Sequence, residues 1–266
     1  MPPSPSPSIQ SLCLALPAYN ESAVIRPLLE QAVATLSAMA GPWTIVVVDD
    51  GSRDATAALV EQFIAEGHPQ VRLIRHEKNR GLGPAIITGL QAALEAVGGG
   101  SEAMIVCMDA DLTHPPATIP AMRQALDAGA DLVIASRFQS ASRQVGVPLF
   151  RLALSVAARL IFHFYLGLPG VRDYTCGFRA LRASLVAAGF QRFGAGLITR
   201  SGFACTDELL VHLATLGPVL REVPFTLRYD LKAGRSKMNL GVTVIETLKL
   251  LHAYRGIIRR HRPPQR

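Results

Sequence analysis

Cysteine is scarce in this 266-residue chain. The four residues Cys13, Cys107, Cys176 and Cys205 form no C-x-x-C pair, and no His/Cys cluster has zinc-ligand spacing. That argues against a disulfide framework or a structural zinc, and the thiols are expected to be reduced, as in a cytosolic protein. Charged residues are few, at 18%, which is low for a freely soluble surface. Long apolar runs are missing too. The greasiest stretch, PLFRLALSVAARLIFHFYLGLP, is interrupted by Arg151 and Arg159. Its longest charge-free run, Leu160 to Val171, falls short of the ~20 residues that a membrane span needs. The opening MPPSPSPS lacks the basic and apolar regions of a signal peptide, and residues 1–10 are read as a disordered tail. The net charge is +7. The cations concentrate toward the C-terminus without interleaved aromatic platforms, which speaks against a nucleic-acid partner. The same charge suits an anionic membrane or phosphate-bearing substrates.

What is present is apolar and periodic. Hydrophobic residues make up 49% of the chain, enough for a sizeable core. The runs LCLALP, WTIVVV, VRLIRH, EAMIVCM and DLVIAS have strand length, and helical patterns such as AVIRPLLEQAVATL and GPAIITGLQAALEAV lie between them. Strand–helix alternation with fully apolar strands predicts an α/β fold, a Rossmann-like and mostly parallel sheet flanked by helices. In the second half, Arg151, Ser155, Arg159 and His163 recur at i, i+4 as one polar stripe on an apolar helix. A second helical pattern runs from Leu240 to Arg262 and ends in a cluster of arginines. Both are read as amphipathic helices fit for a membrane surface.

The polar residues cluster where the strands end: Pro17-Ala-Tyr19-Asn20-Glu21, Asp49-Asp50-Gly51-Ser52, Asn79-Arg80-Gly81-Leu82-Gly83, Asp109-Ala110-Asp111-Leu112-Thr113 and Ser136-Arg137. In a parallel sheet all of these loops share the carboxyl edge, where α/β folds bind ligands. Asp109 and Asp111 repel each other unless a cation lies between them, and Mg2+ is usually held by one or two carboxylates plus substrate phosphates. Thr113 or Asp111 also fits an N-cap of the helix entered at Pro115. Asp49, at a strand tip, suits a base N–H or a ribose hydroxyl. Asp50, Ser52 and Asp54 also read as a turn and cap. The glycine-rich loop offers backbone N–H groups at a helix start, a common phosphate setting. Asp207 and Glu208 in FACTDELLVHL are the nearest candidates for a general base, and equally fit helix-terminal charges.

The ordered set PAYNE, VVVDDGS, NRGLGPA, DADLTHPP, ASRF, CGFRALR and GRSKM resembles the family-2 glycosyltransferases with the GT-A fold, from about Leu12 to Lys237. Within them it is most similar to the polyprenyl-phosphate sugar transferases of the dolichyl-phosphate mannosyltransferase type. The resemblance implies a nucleotide-sugar site at Pro17, Tyr19, Glu21, Val47 and Asp49. It places metal and diphosphate at Asp109, Ala110 and Asp111, and a diphosphate-side arginine at Arg137. Arg151 and Ser155 fall on positions that meet a lipid phosphate. Arg228, Lys232, Arg235 and Lys237 match a basic loop that closes over the donor. Thr113 stands where a glutamine ligates metal, and Leu231 where the basic loop carries an arginine.

The expected protein is thus an inverting glycosyltransferase using Mg2+ or Mn2+. It moves a mannose- or glucose-type sugar from a nucleoside-diphosphate sugar to a polyprenyl phosphate, as a peripheral protein on the cytosolic membrane face. A GT-A domain over 11–237 is followed by a basic amphipathic helix and tail over 238–266. A saccharide or small-molecule hydroxyl acceptor is the alternative, and a phospho-acceptor signalling module a remote one.

Overall fold

The computed structural model describes residues 7–232 together with 246–249, 251, 252 and 254. The first half alternates as its apolar runs require. In order come β1 (Ser11–Ala18), α1 (Ile25–Ser37), β2 (Trp43–Asp49), α2 (Thr56–Ala65), β3 (Val71–Arg75), α3 (Leu82–Val97), β4 (Ala103–Cys107), α4 (Ile119–Asp127) and β5 (Leu132–Ser136). Every residue of β4 and β5 is buried, because helices cover both faces of the sheet. The second half adds β6 (Arg143–Val145), α5 (Leu149–Tyr165), β7 (Arg179–Arg182), α6 (Ala183–Phe193), α7 (Ala204–Ala214), β8 (Leu220–Pro224) and β9 (Thr226–Arg228).

Seven strands form one sheet in the order β3-β2-β1-β4-β7-β5-β8, and β6 pairs with β9 in a separate parallel ribbon. The expected α/β sheet is there, parallel except for β7, which runs antiparallel to both β4 and β5. This central strand reads RALR, and both of its arginines are buried. Carbonyl groups make that possible. Arg182 donates to the main-chain oxygens of Ala130, Leu126, Pro7 and Ser101, and Arg179 to those of Thr206 and Tyr174. A buried guanidinium is tolerated when its donors are paired, as at Arg182; Arg179 Nε has no hydrogen-bond partner among the described residues.

Pro7 is therefore part of the fold. Ile9 is 2% exposed, and its N–H donates to Asp127 Oδ1 at 2.7 Å. The tail read over residues 1–10 thus includes a segment pinned to the core.

Two helices depart from ordinary amphipathicity. α7 is buried along its whole length, including Asp207, Glu208 and His212. α5 is the opposite case, with Phe162 its one fully buried residue. Leu149, Leu160 and Phe164 are 83%, 63% and 69% exposed, and Phe150, Leu154 and Val156 are exposed as well. Among the described residues no helix is long and apolar enough to cross a membrane. Residues 246–249, 251, 252 and 254 are helical, and Leu251 of this segment is buried. Lys237 and Arg235, together with the arginines after Tyr254, lie outside the described residues.

Candidate active site at the carboxyl edge of the sheet

The strand register brings the first loops level: Ala18 of β1 pairs with Asp49 of β2, and Ala15 with Cys107 of β4. The loop at 19–22 is knitted to the loop at 50–56. Asn20 N–H donates to Ser52 Oγ and Glu21 N–H to Thr56 Oγ1, both at 2.8 Å, and Arg53 N–H returns to Asn20 Oδ1. Burial works to raise the Asp54 pKa, but hydrogen bonds from Thr56 and Ser22 outweigh it and bring the carboxyl down to about 2. Asp49 is fully buried. One of its oxygens accepts Ser52 N–H at 3.3 Å, while Oδ2 has no hydrogen-bond partner and lies 3.9 Å from Arg75. Pro17, Tyr19 and Glu21 are half-buried beside it, whereas Val47 and Ala110 are closed off in the core.

The glycine-rich loop has a different task from the one its sequence suggests. The N–H groups of Arg80 and Gly81 donate to Asp50 Oδ1 and Oδ2 at 3.0 and 2.8 Å, so they are committed within the protein. Asp50 is also held by His76 at 2.7 Å. Gly81 has φ +98 and packs against Ser201, and a Cβ on Gly83 would run into the Arg200 carbonyl. These glycines let the 200–201 loop lie directly on the turn. Glu208 fixes that loop from below, accepting Thr199 N–H at 2.8 Å, its hydroxyl at 2.6 Å, and Arg200 N–H at 3.0 Å. Glu208 is thus a structural anchor and not a free base.

Asp109 and Asp111 follow β4. Between Asp111 and Thr113, Leu112 adopts φ +63, a left-handed conformation that a branched side chain rarely takes. Thr113 donates both its N–H, at 3.2 Å, and its hydroxyl, at 2.7 Å, to Asp111 Oδ1. The ammonium of Lys232 sits on Asp111 Oδ2. Burial raises the Asp109 pKa, the charge of Asp111 adds to this, and His114, Lys232 and Arg137 counter it only in part. For Asp111, burial is outweighed by Lys232, His114 and the Thr113 hydroxyl, so that carboxyl is held low. His114 packs among the rings of Phe178 and Phe225, at 5.3 and 5.7 Å between centres.

This pair fits a hard divalent cation. The donors are carboxylate oxygens, and their mutual repulsion is already answered by an ammonium drawn onto Asp111. Among the described residues no group of three or more His, Cys, Asp or Glu side chains is arranged to hold a metal. The remaining ligands would come from water and substrate phosphate.

Arg137 leaves the end of β5 and is clamped by Asp173. Its N–H and Nε donate to Asp173 Oδ2 at 2.8 Å each, and Nη2 to Oδ1 at 2.6 Å. Burial works to lower the Arg137 pKa, but Asp173 outweighs it and the pKa is raised. Nη2 also donates to Thr175, and Nη1 points to Ser155 Oγ at 3.3 Å, so the arginine faces α5. Arg151, one turn before Ser155, has its guanidinium 5.5 Å from the Tyr229 ring centre, and Arg159 lies 5.0 Å from that of Phe138. Arg151, Ser155 and Arg159 of the α5 stripe thus turn toward the site, while His163 and the apolar side are exposed. Of the basic candidates in 228–232, Lys232 reaches the carboxylates, while Arg228 folds back onto Asp230 at 2.8 Å.

Sequence reading missed Asp173 and Tyr229. Asp173 had one signal: an acid four residues before the glycine of CGFR, in a chain whose buried arginines need partners. Asp207 is buried beneath the site, with burial the chief cause that pushes its pKa up to about 7.

The profile of glycosyl transferase family 2 matches residues 13–190. The polyprenol monophosphomannose synthase of Mycolicibacterium smegmatis is 30% identical over 230 residues, covering 86% of this chain and 82% of that protein. The dolichol-phosphate mannosyltransferase of Pyrococcus furiosus is 33% identical over 244 residues, covering 90% of this chain and 62% of the relative. Among solved structures, the glucosyl-3-phosphoglycerate synthase of Mycobacterium tuberculosis, in complex with Mn2+, UDP and phosphoglyceric acid, superposes with a TM-score of 0.66. It is 21% identical, the match covers 93% of this chain and 79% of that one, and it supports the GT-A fold. By its ordered strand-end loops and these matches, the chain belongs to glycosyl transferase family 2 and is a glycosyltransferase.

Proposed function

We propose that the protein transfers a sugar from a nucleoside-diphosphate sugar to a polyprenyl phosphate, working as a peripheral protein on the cytosolic membrane face. The observation that carries this reading is α5. One side brings Ser155 to Arg137 and Arg151 to the ring of Tyr229, and the other exposes Leu149, Leu160 and Phe164. A lipid with an anionic head needs both: fixed cations for the phosphate and an apolar surface for the chain. The relatives whose names specify polyprenol or dolichol phosphate support the same acceptor.

In this reading the first two loops hold the nucleoside, with Asp49 Oδ2 as the unfilled acceptor for a base or ribose donor. Asp109 and Asp111 would hold Mg2+ or Mn2+, which supplies positive charge to the donor diphosphate. Lys232, already on Asp111, adds a second cation there. Arg151 and Ser155 orient the acceptor phosphate, and Arg137, in contact with Ser155, stands on the diphosphate side. A phosphate oxygen forms the new bond to the anomeric carbon while the bond to the diphosphate breaks, and the electron pair leaves with the diphosphate. Attack from the opposite side inverts the anomeric centre. A phosphate is already an anion, so no base is required. A hydroxyl acceptor would need one, and the buried carboxyl of Asp207 is only 4% exposed while Glu208 is committed to its loop.

The test is Arg151→Ala assayed separately for each substrate. The lipid-phosphate KM should rise about tenfold, the worth of one charge-assisted contact, with nucleotide-sugar affinity near wild type. Equal loss of both, or a soluble sugar proving the better acceptor, would overturn the lipid-phosphate assignment.

A further inference from the structure

The ring of Tyr229 has two cations against it. The Arg151 guanidinium carbon is 5.5 Å from its centre and the Lys232 ammonium 6.0 Å. These cations come from different parts of the site. Arg151 belongs to α5, beside the Arg137–Ser155 contact, and Lys232 rests on Asp111. Without an intervening group, two such cations repel. The electron-rich face of an aromatic ring attracts both.

The turn that carries Tyr229 is held in three ways. Arg228 N–H donates to the Thr113 carbonyl at 2.9 Å, which ties it to the strained aspartate loop. β9 pairs with β6, the strand that leads into α5. Gly146, with φ +73, lies so close under Asp230 that a Cβ would sit 2.8 Å from its nitrogen. Asp230 in turn occupies Arg228, removing the nearest competing guanidinium. The turn is therefore fixed to the carboxylate loop on one side and to the start of α5 on the other, with the ring between them.

We propose that Tyr229 is a positioning residue that seats Arg151 and Lys232 on one ring, so that the acceptor-side and donor-side cations are presented together. This rests on the transfer to a lipid phosphate proposed above. A phosphate entering along α5 and a diphosphate over Asp111 both bear negative charge, and they must approach each other for the sugar to pass. Cations joined through one ring offset that repulsion at the distance the reaction needs. Tyr229 itself touches neither reacting atom in this role.

The experiment compares Tyr229→Phe, Tyr229→Leu and ring-fluorinated phenylalanines incorporated at 229. Fluorination keeps the ring's shape and drains the charge from its face. Losing both cation–ring contacts should raise the polyprenyl-phosphate KM by about tenfold. The expected order is Tyr and Phe alike, fluorinated rings progressively weaker and Leu weakest, with kcat at saturating lipid changed less and the melting temperature unchanged across the ring series. A merely structural ring would give fluorinated variants equal to Phe, and that result would overturn the proposal. The seat is also read without turnover. Ring current should shift the Arg151 Cδ and Lys232 Cε proton resonances upfield in the wild type and not in Tyr229→Leu. If the shift is absent in the wild type, the seat is wrong whatever the acceptor. If the shift is present but a polyprenyl phosphate is no substrate, the seat stands and the acceptor assignment falls.

Discussion

Removing the Asp173 carboxylate should destabilise the protein more than removing any carboxylate at the carboxyl edge of the sheet. Asp173 is fully buried and takes three hydrogen bonds from Arg137, at 2.8, 2.8 and 2.6 Å. It is itself positioned by its N–H, which donates to Glu222 at 2.7 Å. Asp173→Ala strands a buried guanidinium, which typically costs about 3–5 kcal/mol. In a protein of this size that is roughly 6–20 °C in melting temperature. Asp173→Asn keeps the shape and loses the charge, so about half of that cost is expected. The double variant Arg137→Met/Asp173→Leu should regain much of the loss of Asp173→Ala, since no unpaired charge remains. Urea unfolding followed by the single tryptophan, Trp43, measures all of these. The pH dependence has a definite sign. Burial works to raise the Asp173 pKa, but Arg137 outweighs it and the folded value is depressed. The stabilisation is then present above the unfolded value near about pH 4 and lost as pH falls through the folded one. If Asp173→Ala unfolds within about 1 kcal/mol of wild type, the pair is not the anchor described. A double variant less stable than the single one would also refute the reasoning.

Activity should require a divalent cation, with EDTA abolishing turnover. Asp111→Ala should lower kcat by at least about a hundredfold while leaving circular dichroism unchanged, a loss typical of removing transition-state charge stabilisation. Asp207 gives the opposite pH sign to Asp173. Its folded value is raised to about 7, so its contribution is full below the unfolded value near about pH 4 and is lost as pH rises toward 7. Asp207→Asn should therefore flatten that slope and stabilise the protein at pH 8 by up to a few kcal/mol, read from urea midpoints. Leu160→Asp/Phe164→Asp should abolish recovery with anionic polyprenyl-phosphate vesicles without shifting the melting temperature, because both side chains are exposed. Wild-type protein should be released from such vesicles by alkaline carbonate, and retention would contradict peripheral attachment.

How much of the site was legible in the sequence depended on the range of the interactions. The runs that became β1, β2, β4 and β5 are largely buried on both faces, so their composition alone marked them, and the polar residues at their ends marked the carboxyl edge of the sheet; β3, at the sheet edge, is partly exposed. The Asp-x-Asp pair was legible for the same reason. β7 was not. RALR carries no apolar alternation, and it is a central strand only because carbonyls from Ala130, Leu126, Ser101 and Pro7 pair with Arg182. The glycine-rich loop carried the composition of a phosphate cradle, yet its donors went to Asp50, a partner 30 residues away.

The amphipathic stripe of α5 was written in its i, i+4 spacing, but which side meets the protein depended on where Arg137, Phe138 and Tyr229 lie. Local periodicity determines elements and strand-end chemistry, because burial on a sheet or a helix face repeats every few residues. Tertiary structure alone decided that Asp173 holds Arg137 across 36 residues, that Lys232 rests on Asp111 across 121, and that Arg151 and Lys232 both lie against the ring of Tyr229. Charge pairing is set by distance in space, and no spacing along the chain encodes it.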